Sequence, residues 1–147
     1  LHSLDLKTIQ ISDPFWSKHV DLVRNAIIPY QWEALNDRLP DTEPSYAIAN
    51  FKTAAAITSG ELDQSKAKAE FHGCVFQDSD LAKWIEASAF SLNWHPDEKL
   101  EKTIDDVIDL VCAAQQPDGY LDTYFIINGL DKAEEIIHKS DTENIKQ

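Results

Sequence analysis

The chain has 147 residues, 43% of them apolar, and carries 26 acidic against 13 basic side chains for a net charge of −13. That length and apolar share suit one folded domain and exclude both a pair of independent domains and outright disorder. The acidic balance repels phosphate backbones and anionic lipid heads, so nucleic acid and membrane surfaces are not expected partners, and no apolar run approaches the roughly 18 residues of a spanning helix.

In chain order, helix periodicity comes first from about Ser17 to Arg38, where Val20, Val23, Ile27, Tyr30 and Leu35 recur at three- and four-residue spacing. Pro29 falls inside that pattern, removes one backbone donor and crowds the preceding turn, which predicts a break near Ile28. Leu39 to Ser45 contains Pro40, Asp41, Thr42 and Pro44 and is expected to be a loop. The Ala-rich stretch from about Tyr46 to Ser59 predicts a closely packed helix, with Gly60 as its stop. Glu61 to Glu70 is mostly polar and is expected to be a linker or a solvated helix.

Asp78 or Ser79 is expected to cap a helix reaching about Asn93, with Leu81, Trp84, Ile85, Ala89 and Leu92 as its apolar stripe. Pro96 at a first helical position, followed by Asp97 and Glu98, predicts another helix to about Gln116, with Leu100, Ile104, Val107, Ile108 and Val111 facing inward. Pro117-Asp118-Gly119 ends it in a turn. The short connection makes these two helices an antiparallel hairpin, and the first two helices are candidates for a second one. Leu121 to Asn128 is the one stretch that permits a short strand; Leu130 to Lys139 reads as a weak helix, and the polar tail after it as frayed. Hairpin after hairpin predicts an all-α solenoid or toroid whose repeat is structural, since no fixed sequence period is visible.

The densest polar cluster, Val75-Phe76-Gln77-Asp78-Ser79-Asp80, joins a loop to a helix start. Carboxylates and an amide there can grip sugar hydroxyls, with Phe76 or Trp84 as a ring face. The plainer reading makes Asp78 and Ser79 caps and Trp84 a core residue. Asp78 and Asp80 as an acid/base pair is weaker, because side chains two positions apart at such a junction need not converge. His72 and Cys74 lack the companions that zinc requires, and Asp118 to Asp122 lacks the alternating ligands and distal Glu of a calcium loop. No Gly-rich phosphate loop or GxSxG elbow is present. Trp16, Trp32, Trp84 and Trp94 are expected to pack against helices more readily than to bind sugar. Cys74 and Cys112, far apart and outside any CxxC, fit reduced core thiols. With no basic-then-apolar leader in view, a cytoplasmic location is the expectation.

In order, Asp13-Pro14-Phe15-Trp16, Ile28-Pro29-Tyr30-Gln31, Asn50-Phe51, Val75 to Asp80, Lys83-Trp84-Ile85-Glu86 and Gln115 to Leu121 resemble one family, the β-L-arabinofuranosidases of glycoside hydrolase family 127. The strongest matches are Val-Phe-Gln-Asp-Ser-Asp with the Lys-Trp that follows, and Gln-Gln-Pro-Asp-Gly-Tyr-Leu-Asp-Thr; the likeness covers about Ile11 to Phe125. It implies an (α/α)6 toroid built from helical hairpins, in agreement with the periodicity. Twelve helices of about 12 residues with loops of about five need at least about 200 residues, so the chain is expected to be the N-terminal portion of a toroid and not a closed one. Residues 1–16 then form an N-terminal extension and 129–147 a divergent polar tail.

The resemblance further implies retaining hydrolysis of L-arabinofuranosides by a cysteine nucleophile, with zinc in the full-length family. Neither Cys74 nor Cys112 stands in the family's paired-cysteine context, and its His-Glu-(Leu/Met)-Tyr motif is missing after Thr123; His138 is not a match. No catalytic residue, zinc ligand or cofactor is therefore assigned to this chain, which is expected to be inactive alone. Phe76, Gln77, Asp78 and Asp80 are the candidate sugar-lining residues, with Asn50 a weaker companion. The rival reading is a stand-alone helical module that binds a partner or a second copy through the apolar helix faces of an open toroid, or an inactive remnant.

Overall fold

The computed structural model describes residues 5–63 and 71–129. These are helical throughout apart from turns and loops. A single 3-10 turn, Leu6–Thr8, precedes α1 (Pro14–Leu22), a π turn (Val23–Ile27), α2 (Ile28–Leu35), α3 (Ala47–Thr58), α4 (Asp78–Trp94), α5 (Glu98–Ala114) and α6 (Thr123–Asn128).

Helix α1 starts three residues before the expected Ser17, because the Asp13 carboxylate accepts from the amides of Phe15 and Trp16 while Pro14 takes the first helical position, where no donor is needed. The break expected at Pro29 does not occur. The Ile28 amide donates to the Val23 carbonyl five residues back, so the widened π turn makes room for the proline ring and the chain stays helical into α2. The loop after α2 turns on Asp37, which has φ 57° and accepts from the amides of Ser45 and Tyr46; Tyr46 itself sits at φ 58° before α3 begins. Gly60, at φ 79°, follows α3 as its composition suggests.

Helix α4 packs against α5, making the expected hairpin, but α2 lies on α4 and α3 on α5 and α6, so the earlier helices join a layer instead of pairing with each other. Ile28, Phe51, Leu81, Trp84, Ile104 and Val107 form the centre of the core. On α4 the buried face runs through Leu81, Trp84 and Ser88, while Ala89 is exposed; the stripe is rotated from the one the sequence suggests, and Ser88 is buried in place of an apolar residue. Pro96 stays outside α5: its cap is Asp97, whose carboxylate accepts from the amides of Lys99 and Leu100.

The expected strand from Leu121 to Asn128 is instead α6. Asp122 caps it by accepting from Tyr124 and Phe125, and Thr123, Ile126 and Ile127 are buried against α3, so capping and burial override the β-branched and aromatic composition. The expected helix Leu130 to Lys139, the divergent tail and most of the Glu61 to Glu70 linker lie outside the described residues.

Candidate functional site

The polar cluster at the start of α4 folds into a loop fastened from three sides. Asn50, buried on α3, donates from its amide to the His72 carbonyl (2.9 Å) and accepts from the His72 amide (3.4 Å), holding that backbone like a short ladder rung. The His72 ring lies against Tyr46, with ring centroids 4.9 Å apart. Gln77 reaches back to accept from the Cys74 amide at 2.8 Å. Gly73 turns the chain at φ 92°, a conformation that favours glycine, and a Cβ there would displace the Gln77 side-chain amide.

Asp78 then ties the loop to α6. Its two oxygens accept from the Thr123 amide (2.7 Å) and the Thr123 hydroxyl (2.6 Å), a charge-assisted pair joining residues 45 positions apart. Asp78 is the first helical residue and Gln77 the cap, so neither Asp78 nor Ser79 caps α4; the Ser79 hydroxyl donates to the Phe76 carbonyl. Asp80 points elsewhere, toward Lys83 at 3.2 Å on the exposed face of α4. The two carboxylates thus have separate partners and make no acid/base couple.

Of the five residues singled out in the sequence, Asn50, Gln77 and Asp78 have their polar atoms engaged in holding the loop, Asp80 has a surface partner, and Phe76 stands 69% exposed at the loop's tip. Thr123 is the residue that sequence reasoning missed: it is fully buried, and its only signal was its place directly after a capping Asp. Asp122 sits next to this anchor. Partial burial raises its carboxyl above the ordinary value, and the nearby Asp78 charge adds to the effect, against the lowering by the Phe125 and Tyr124 amides. Tyr120 is likewise raised, by burial first and then by Asp122.

The tryptophans divide. Trp84 is buried, stacks on Trp32 at 4.7 Å and donates to the Ile28 carbonyl; Trp94 donates to the carbonyls of Leu6 and Ile9; Trp16 is 58% exposed. The remaining motif of the sequence analysis, Gln115 to Leu121, is a turn: Gln116 exchanges backbone bonds with Gly119 and Tyr120, the Gln115 amide donates to the Gly119 carbonyl, and Gln116 pins the Thr58 hydroxyl at the end of α3.

The same segments match known proteins. The model of the β-L-arabinofuranosidase GH127 catalytic domain aligns with residues 8–144. The chain belongs to the GH127 β-L-arabinofuranosidase family. A curated non-reducing end β-L-arabinofuranosidase from Bifidobacterium longum subsp. longum is 44% identical over 131 residues, which is 81% of this chain and 18% of that protein. Among solved structures, a GH127 β-L-arabinofuranosidase from Geobacillus stearothermophilus T6 overlays with a TM-score of 0.73 at 55% identity, covering 82% of this chain and 18% of the other. A GH127 β-arabinofuranosidase overlays with a TM-score of 0.67 at 31% identity, covering 84% and 17%.

The chain therefore spans less than a fifth of the relatives it matches. Its helices are a portion of the α/α toroid of GH127, and the family acts on carbohydrate.

The zinc that the family resemblance implies does not fit these residues. Among the described residues no three His, Cys, Asp or Glu side chains converge. Cys74 and Cys112 are free and exposed, one on the loop before α4 and the other near the end of α5. Both thiols were expected in the core; they lie on its outside, Cys74 because its loop is held by backbone bonds and Cys112 because α5 turns Ile104 and Val107 inward instead. No described helix is long and apolar enough to cross a membrane.

Proposed function

We propose that this chain forms part of the sugar-site wall of a GH127 β-L-arabinofuranosidase-type hydrolase, and that it does not cleave glycosides by itself. Residues 1–16 act as its N-terminal extension and 129–147 as its divergent tail. The observation that carries this reading is the fastened 72–78 loop. Asn50, Gln77 and Asp78 spend polar atoms fixing its shape, which leaves Phe76 as an exposed ring face for an L-arabinofuranoside, and Asp80, paired with Lys83 on the surface of α4, as the other candidate sugar contact.

Retaining hydrolysis needs a nucleophile and an acid on either side of the anomeric carbon. Here the loop's carboxylates are engaged with Thr123 and Lys83, and no step is assigned to Cys74 or Cys112. Two exposed free thiols suit a reducing, cytoplasmic setting.

The test uses the purified chain with an aryl β-L-arabinofuranoside and, in parallel, saturation-transfer NMR with methyl β-L-arabinofuranoside. We expect release of the aryl group no faster than an equally treated blank, together with sugar signals that Phe76→Ala removes. Cleavage above the blank would overturn the inactive reading, and unchanged sugar signals in Phe76→Ala would overturn the role of the loop.

A second reading, a module that associates with its own copies, is favoured by one observation: Phe15, Trp16, Leu22 and Tyr30 are all more than half exposed along α1 and α2.

A further inference from the structure

A second cleft lies away from the fastened loop. It encloses about 580 Å³ between α2, the end of α4 and the start of α5. Ser91 and His95 border it, and at 1.5 Å per helical residue His95 is about 25 Å along α4 from Asp78.

Its lining is unlike the rest of this acidic chain. Arg24, Arg38 and Lys99 meet there with His95, against the carboxylates of Glu33 and Asp97. Both carboxylates are already engaged. Glu33 takes a two-point bond from Arg38, at 2.6 and 2.8 Å, which holds its carboxyl below the ordinary value, and Asp97 caps α5. The Lys99 ammonium lies close enough to Glu33 to help lower that carboxyl, after the larger effect of the Arg38 bond, so the donors of the cleft outnumber its carboxylates and both carboxylates are engaged. Trp32, stacked on Trp84, supplies an aromatic surface to the same space.

The π turn places Arg24 and Asn25 at its rim, and such widened turns recur at functional sites. In formal charge the lining carries three cations, Arg24, Arg38 and Lys99, against two carboxylates, Glu33 and Asp97, and salt screens charges beyond about 8 Å.

We propose that this cleft binds a sugar carboxylate, a uronate whose ring lies against Trp32, backed by the buried Trp84, and whose carboxylate is held by Arg24 and Lys99. The proposal does not depend on the loop at Phe76, since the two sites share no residue.

The experiment titrates the purified chain with sodium D-galacturonate at near-physiological ionic strength, read by tryptophan fluorescence and by the indole N–H NMR signal of Trp32, identified with Trp32→Phe. D-galactose and inorganic phosphate are the parallel probes. Saturable binding of galacturonate that shifts the Trp32 signal is expected, with galactose and phosphate each weaker by about tenfold or more, as the loss of a charged hydrogen bond or of the ring contact implies. Arg24→Gln and Lys99→Gln should each weaken galacturonate by about tenfold without altering the unfolding midpoint; Lys99 is exposed, so its variant carries the test if Arg24→Gln fails to fold. No saturable binding, equal binding of galactose, equal binding of phosphate, or full affinity in a folded variant of either cation would overturn the proposal.

Discussion

At the scale of single residues, two aspartates meet around Thr123. Asp78 accepts two hydrogen bonds from Thr123, and Asp122, next to that residue, is pushed toward its neutral form by burial and, less, by Asp78. A carboxyl whose value is raised on folding holds its proton more tightly in the native state. Its contribution to stability therefore falls as pH rises from the ordinary 3.8 through the raised value. Asn retains a capping oxygen but cannot ionise. Unfolding by urea across this pH window should show the stability of the parent, measured relative to Asp122→Asn, shrinking as pH rises; a constant difference between the two would remove the strain assigned to Asp122. The sequence shows a polar cluster at Gln77, Asp78 and Asp80 but not this division of labour, because Thr123 reaches Asp78 only through the fold, 45 residues away.

At the scale of helices, legibility tracks how much of an element's cause is local. Helix α5 is readable because Asp97 supplies a cap and Leu100, Ile104, Val107 and Val111 repeat on one face. Even so its start shifts by two residues, since the Asp97 side chain, and not Pro96, satisfies the first free amides. Asp97→Ala should destabilise the chain by about 1 kcal/mol, and Asp97→Asn by only a few tenths. Circular dichroism during chemical unfolding distinguishes them, and equal losses in both variants would place the effect in charge instead of capping. Helix α6 was not readable, because its aromatic and β-branched residues favour a strand locally and only the Asp122 cap with burial on α3 decides otherwise. The run through Pro29 is a similar case: the proline's cost is visible in sequence, but not the π turn that accommodates it.

At the scale of the whole chain, the hairpin logic and the GH127 motifs made the toroid legible, while several large apolar side chains stay exposed along α1 and α2. The aromatic end of α1 shows the consequence. Phe15 and Trp16 contact each other edge to face at 5.1 Å and Phe15 lies against His19 at 4.4 Å, yet Phe15 remains 61% exposed and Tyr30 58%. Aromatic side chains bury about 150–250 Å² each when covered, so several along one face favour association. The net charge of −13 opposes it by repulsion between copies, and salt screens that repulsion without weakening apolar contact. Light scattering of the purified chain should therefore show a mass that rises with concentration and rises further with added salt. Replacing Trp16 and Tyr30 by Ser should return the mass to 16.6 kDa. A mass that stays monomeric for the parent at every concentration and salt level would mean that these rings are too dispersed along α1 and α2 to act as one surface; association that falls with salt would assign the contact to ion pairs and not to the aromatic face.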